Sequence, residues 1–145
     1  MDWKGIGIFA VAMTVVAQAV HTAESVLTMG YYIDPAYFGL WSKVMMPKAG
    51  APPIEFFTLS LAFAFATWFL FGCVFGKLGK VIGENGFVKK GLVFGGLVFL
   101  IAGVPFTLTS YLLFNVPTAL LLAWATSSLL LYLAGGVLAA RLVKP

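Results

Sequence analysis

The chain has 145 residues, of which 61% are hydrophobic and only 10% are charged. A soluble domain carries roughly 25% charged residues, so this composition excludes a soluble globular protein. The mean hydropathy of +1.02 indicates a chain whose solvent is lipid. The net charge of +4 comes from basic residues at the ends of apolar runs, where they meet lipid headgroups, so no nucleic-acid partner is expected. The single cysteine, Cys73, excludes a disulfide within the chain.

Four apolar segments are long enough to cross a bilayer as helices, which takes about 20 residues with every backbone amide paired internally. In chain order we predict them at about residues 6–29, 54–75, 90–111 and 117–141. The last two are joined by a short turn, which favours an antiparallel hairpin. The sequence therefore predicts one all-α domain over residues 1–145. Its architecture is an integral membrane four-transmembrane-helix bundle with an interfacial segment between spans one and two.

The longest connection, residues 31–53, is not a plain polar linker. Aromatic and apolar side chains alternate there with charged ones: Tyr31, Tyr32, Tyr37, Phe38, Trp41, Met45 and Met46 beside Asp34, Lys43 and Lys48. This composition is typical of a segment that lies at the level of the headgroups. Two interpretations stay open, an aromatic belt and a gate or partner surface.

Residues 31–41 read Tyr-Tyr-Ile-Asp-Pro-Ala-Tyr-Phe-Gly-Leu-Trp. This run resembles the aromatic-Pro-x-x-Phe-Gly-x-x-Trp pattern that follows the first helix in a family of small membrane proteins of unknown function. The positions that match in spacing are Pro35, Phe38 and Gly39, and Trp41 arrives one residue early. The closing part of the chain, with Pro105, Thr107 and Phe114 before an apolar span, is similar to that family's final hairpin. The resemblance implies a shared four-helix architecture and assigns no activity and no site residue.

Small residues mark the faces where helices can approach each other closely in lipid. Gly72 and Gly76 form a GxxxG pair in span two, and Gly91 and Gly95 form another in span three. We expect these two pairs to be able to face each other. Gly135 and Ala139 offer a further site on span four, either for span one or for another copy of the protein.

Pro105 lies within span three, where it removes a backbone hydrogen bond. We predict a kink or loosened turn around residues 101–102. The hydroxyls of Thr107 and Thr109 are near enough to satisfy backbone groups that the proline frees. A fixed bend and a moving hinge both remain open.

Lys and Arg residues are unevenly divided between the two ends of the predicted spans. One end carries Lys4, Lys77, Lys80, Lys89, Lys90, Arg141 and Lys144, and the other carries Lys43 and Lys48. Because loops rich in Lys and Arg stay in the cytoplasm, this predicts cytoplasmic N- and C-termini for a protein integral to the plasma membrane.

Polar residues within the spans favour the half away from the termini. In span one they recur at steps of four and three residues, along one side of a helix: Thr14, Gln18, His21, Ser25 and Thr28. We predict a polar pocket open to the outer face that holds a cation, a proton or a lipid headgroup, formed by Gln18, His21, Glu24, Glu55, Thr107 and Ser110. The alternative is that the same groups only form hydrogen bonds between helices. No cofactor is predicted, and one histidine is too little for a metal site.

The chain contains no Ser-His-Asp arrangement, Walker loop, dinucleotide fingerprint or HExxH motif. This favours a non-enzymatic protein that acts by association, either as an accessory subunit of a membrane complex or as a homo-oligomer. The alternative is a small oligomeric transporter or channel that uses the outward-facing pocket. A lipid- or quinone-modifying enzyme is a third hypothesis. The expected partners are membrane lipid, further copies of the chain and other membrane protein subunits.

Overall fold

A computed structural model describes residues 1–48, 50–83 and 86–145, and in these ranges the chain is helical without β-strands. The elements are α1 (Trp3–Leu27), α2 (Met29–Ile33), a 3₁₀ turn (Phe38–Leu40), α3 (Ile54–Leu78), α4 (Phe87–Val98), a π-helical segment (Phe99–Gly103), α5 (Val104–Leu113) and α6 (Thr118–Leu142). Helices α1, α3, α6 and the continuous run Phe87–Leu113 are each long and apolar enough to cross a membrane. The predicted all-α bundle of four membrane spans is confirmed.

The spans begin close to the predicted positions, and the differences have local causes. Helix α1 begins before residue 6 because Asp2 caps it, accepting a hydrogen bond on Oδ1 from the N–H of Gly5 at 2.9 Å. The third span begins at Phe87, so Lys89 and Lys90 lie inside its first turn and not before it. Both changes lengthen the helices at the end of the bundle that carries the termini.

The N- and C-termini are tied together at one end of the bundle, which we call the termini face. Asp2 accepts a second hydrogen bond on Oδ2 from the backbone N–H of Lys144 at 3.1 Å. The hydrogen bonds from Gly5 and Lys144 lower the pKa of Asp2 below its ordinary value, because they stabilise the ionised carboxylate. The opposite end, with the interfacial segment and the turn at residues 114–117, is called the loop face.

The core lies in the half of the bundle near the termini face, where α1, α3 and α6 meet through aromatic rings. Trp68 of α3 packs edge-on against Phe9 of α1, with ring centroids 6.2 Å apart. Phe71 of α3 stacks on Tyr132 of α6 at 6.2 Å, with 4° between the ring planes. Phe94 of α4 lies 5.0 Å from Phe71 and joins the third span to this cluster. Close aromatic packing of this kind supplies much of the helix association in lipid.

Helices α4 and α6 cross at a contact made by glycines. Gly91 and Gly95 of α4 lie against the backbone of α6, and Gly136 of α6 lies against the backbone of α4. A Cβ at any of the three would overlap backbone atoms of the other helix. The expectation that the two GxxxG pairs face each other is wrong, because Gly72 of α3 packs instead against Phe9 of α1.

The third span changes its hydrogen-bonding pattern immediately before Pro105. In the π-helical segment the N–H of Val104 donates to the carbonyl of Phe99, five residues earlier. Proline has no N–H and its ring crowds the preceding turn, and the wider π turn accommodates both effects. The disturbance predicted around residues 101–102 therefore takes the form of a π turn.

Candidate functional site

The interfacial segment folds back over the loop-face end of α6. Tyr32 of α2 is buried, and its hydroxyl accepts a hydrogen bond from the indole N–H of Trp124 at 2.8 Å. Trp41 donates from Nε1 to the carbonyl of Tyr32 at 2.9 Å, and its ring lies 5.0 Å from that of Tyr32 and 6.4 Å from that of Trp124. We call Tyr32, Trp41 and Trp124 the aromatic cap. Packing and hydrogen bonding in this cap hold the segment on α6.

Glu24 lies about one turn before the end of α1, and its side chain is only 9% exposed. The hydroxyl of Thr28 shares its one proton between the backbone carbonyl of Glu24, at 2.8 Å, and Oε1 of the Glu24 carboxylate, at 3.1 Å. Its Oε2 is 4.0 Å from Nδ1 of His21, which is beyond hydrogen-bond range. No other donor bonds to this carboxylate within the described ranges of the chain. A nearly buried carboxylate thus has most of its acceptor capacity unused.

A cavity of about 470 Å³ lies beside Glu24, between the loop-face halves of α1 and α6. Its walls are mainly apolar and are formed by Val20, Ala23 and Leu27 of α1 and by Leu122 and Ala123 of α6. Thr28, Thr126 and Ser127 also line it, and the hydroxyls of Thr28 and Thr126 donate to the backbone carbonyls of Glu24 and Leu122. Leu27 and Leu122 are 86% and 60% exposed. The cavity therefore opens at the side of the bundle, where a membrane would supply lipid.

The ionisation of Tyr32 in the aromatic cap depends on its burial and on its polar neighbours. Burial raises the pKa of the Tyr32 phenol above its ordinary value, the hydrogen bond from Trp124 opposes this, and the negative charge of Glu24 raises the pKa further. The hydroxyls of Thr28 and Ser25 lower the pKa of the phenol, as the indole of Trp124 does. The Tyr32 phenol therefore stays protonated at neutral pH and presents a neutral polar group next to the Glu24 carboxylate.

Three residues of the predicted pocket lie on α1, and the structure brings two of them together. His21 and Glu24 approach each other at 4.0 Å, although the His21 side chain is 54% exposed. Gln18 donates from Nε2 to the hydroxyl of Thr22 at 3.4 Å, so it bonds along its own helix. Of these three, Glu24 alone lines the cavity.

The other three residues of the predicted pocket lie on helices that do not line the cavity. Glu55 is exposed in the first turn of α3. Thr107 and Ser110 lie on α5, which packs against α6. Thr107 donates to the carbonyl of Gly103 at 2.9 Å, and Ser110 is buried. The structure thus leaves these three apart from Glu24.

Helix α6 supplies the second wall of the cavity. The pocket predicted from the sequence contained no residue of this helix. A signal was present, because Thr126 and Ser127 interrupt a mainly aliphatic span within a short distance of Trp124. Polar groups within a span are costly in lipid and usually face protein or a cavity. Helix α6, which faces α1 across the cavity, therefore carries a weaker form of the polar pattern found on α1.

A second cavity, of about 760 Å³, lies between α3 and α4 in the half near the termini face. Its described lining is aliphatic apart from Phe94, and contains no ionisable side chain. Such a surface offers contact with hydrocarbon and no acid, base or ion site. Within the described ranges no three His, Cys, Asp or Glu residues are grouped closely enough to hold a metal ion.

No protein family model, curated protein or solved structure matches this chain. The class that the fold and cavity define is a four-span integral membrane protein with a lateral, mainly apolar cavity that has Glu24 among its lining residues.

Proposed function

We propose that this protein acts by association within the membrane, either as a subunit of a larger complex or as an oligomer of its own copies. The observation that supports this is that the buried residues of α1 and α3 lie in the halves of these helices near the termini face. Along these two helices, the last buried residue of α1 is Ala17 and the first buried residue of α3 is Trp68. The loop-face half of α3 is therefore available to a partner.

That half of α3 carries a line of small residues on its exposed surface. Thr58, Ala62 and Ala66 are exposed and spaced by four residues, so they lie along one side of the helix. Helices associate in lipid where small side chains let their backbones approach closely. Phe63 and Phe65 are also exposed on this half and add aromatic contact surface. These features suit a partner helix that packs lengthwise against α3.

The double substitution Ala62→Leu with Ala66→Leu should abolish the association, because the larger side chains keep a partner helix at a distance. Native mass spectrometry from lipid nanodiscs should show a wild-type particle heavier than the 15.5 kDa chain and a variant that is monomeric. Ala119→Leu with Ala134→Leu, at exposed positions of α6, is the matched control and should retain the wild-type mass. A mass in multiples of one chain identifies an oligomer, and a foreign subunit identifies a complex. A monomeric wild-type particle without any co-purifying protein contradicts the proposal.

We also propose that the termini face lies in the cytoplasm and that the host membrane is the plasma membrane. The support is the concentration of Lys and Arg at the termini face, since such residues are retained on the cytoplasmic side. In a Cys73→Ala background, Lys48→Cys should react with a membrane-impermeant maleimide in intact cells. Lys4→Cys should react only after the cells are permeabilised. The reverse pattern of labelling would exclude this orientation.

A further inference from the structure

The carboxylate of Glu24 has no basic group within hydrogen-bond distance in the described part of the chain. Its side chain is 9% exposed, and its one hydrogen bond from a side chain comes from the hydroxyl of Thr28 at 3.1 Å. His21 is the nearest basic group, but its Nδ1 is 4.0 Å away and its side chain is half exposed. At that distance the two side chains do not form a hydrogen bond. Elsewhere in the described ranges, no Lys or Arg forms an ion pair with Glu24.

Glu24 is one of the residues that line the 470 Å³ cavity between α1 and α6. We propose that this cavity binds an organic ammonium ion with apolar substituents, and that Glu24 provides its counter-charge. The positive nitrogen takes the place beside Oε2 that no protein donor fills. The apolar substituents lie against Val20, Leu27 and Leu122. The inference goes beyond association, because it concerns the contact between α1 and α6 and not the exposed surface of α3.

The chemistry of the walls distinguishes this ligand from other classes. A hard metal cation needs about six oxygen ligands, and Glu24 is the one acidic residue among those that line the cavity. An anion would be repelled by Glu24. A neutral hydrocarbon would leave the carboxylate unpaired, which is costly in an apolar site. An alkylated ammonium ion satisfies both the charge and the apolar walls.

The route of entry also favours an amphipathic ligand. Leu27 and Leu122, at 86% and 60% exposed, border the opening at the side of the bundle. A ligand that arrives there comes from the membrane and not from bulk water. The ammonium group has two such sources, the headgroup of an aminophospholipid and a free hydrophobic amine, and their shared chemistry is what Glu24 recognises.

Binding of tetrabutylammonium to the intact protein tests the proposal. The protein is placed in nanodiscs of phosphatidylglycerol, which contain no ammonium group, and the affinity is measured by isothermal titration calorimetry. Glu24→Gln keeps the size of the side chain and removes its charge, so it should weaken binding about tenfold or more. Glu55→Gln makes the same change in charge at an exposed position of α3 and should leave the affinity unchanged.

Nanodiscs that also contain phosphatidylethanolamine separate the two sources. A lower apparent affinity for tetrabutylammonium, with phosphatidylethanolamine retained by the wild type and lost from Glu24→Gln in native mass spectrometry, supports the headgroup. An unchanged affinity supports a free amine. Equal binding of tetrabutylammonium by the wild type and Glu24→Gln overturns the proposal. The proposal is also overturned if tetrabutylammonium shows no saturable binding to the wild type and the wild type and Glu24→Gln retain phosphatidylethanolamine equally.

A second variant keeps the proposal testable if Glu24→Gln does not fold. Ala123→Leu fills the cavity from α6 and leaves Glu24 in place. It should weaken tetrabutylammonium binding to a similar extent, whereas Ala134→Leu on the exposed side of α6 should not. Wild-type affinity in a folded Ala123→Leu protein would place the ligand outside this cavity and overturn the inference.

Discussion

Replacing Gly95 with alanine should lower the free energy of unfolding by about 1–3 kcal/mol, which is the usual cost of inserting a methyl group into a filled contact. The new Cβ would overlap the carbonyl of Tyr132 and lie 2.9 Å from the Cα of Leu133, both on the backbone of α6. A helix backbone cannot rotate aside as a flexible side chain can. Helices α4 and α6 must therefore move apart and lose dispersion contacts along their whole crossing.

The neighbouring Gly96 provides a matched control for this prediction. A Cβ at Gly96 meets nothing within 4 Å. Alanine at an open helical position reduces the freedom of the unfolded chain, so Gly96→Ala should leave stability unchanged or raise it by up to about 1 kcal/mol. Both variants are compared with the wild type by denaturant titration in mixed micelles, with tryptophan fluorescence as the signal. An equal loss of stability at the two positions would show that Gly95 is not in a close contact between helices.

The glycine contact also shows what spacing in a sequence can and cannot predict. The separation of Gly91 from Gly95 correctly marks a side of α4 that can approach another helix closely. The spacing does not identify which helix packs against this side. The short turn at residues 114–117 forces spans three and four together, and that constraint points to α6. The short connection, and not the match between two GxxxG pairs, correctly predicts that Gly95 packs against α6.

The candidate site was predictable in part for a similar reason. The sequence placed Glu24 in the predicted polar pocket, beside the polar residues that recur along one side of α1. Which helix faces it depends on the core, where large and small side chains fit together. The place of a Cβ on Gly135 of α6 is 2.6 Å from Cζ3 of Trp68, so a large ring of α3 fills the space that this glycine leaves. Such complementarity between helices cannot be deduced from the periodicity of one helix.

Replacing Tyr32 with alanine should release the interfacial segment from α6 while the four spans stay folded. The buried ring packs on Trp41, and its hydroxyl holds the indole of Trp124, so the change removes the centre of the aromatic cap. Loss of a buried aromatic side chain costs about 3 kcal/mol or more. At about tenfold for each 1.4 kcal/mol, amide hydrogen exchange in residues 34–46 should accelerate by about 100-fold or more, with exchange in α6 unchanged.

Two matched variants separate the contributions to this docking. Tyr32→Phe keeps the ring and loses the hydrogen bond from Trp124, so it should cost about 1 kcal/mol and accelerate exchange about fivefold. Tyr37→Ala removes a half-buried aromatic side chain of the same segment that lies outside the aromatic cap, and exchange should stay close to that of the wild type. Hydrogen exchange with mass spectrometry in nanodiscs provides all three rates. An equal effect of Tyr37→Ala and Tyr32→Ala would mean that general contact with headgroups, and not the aromatic cap, holds the segment in place.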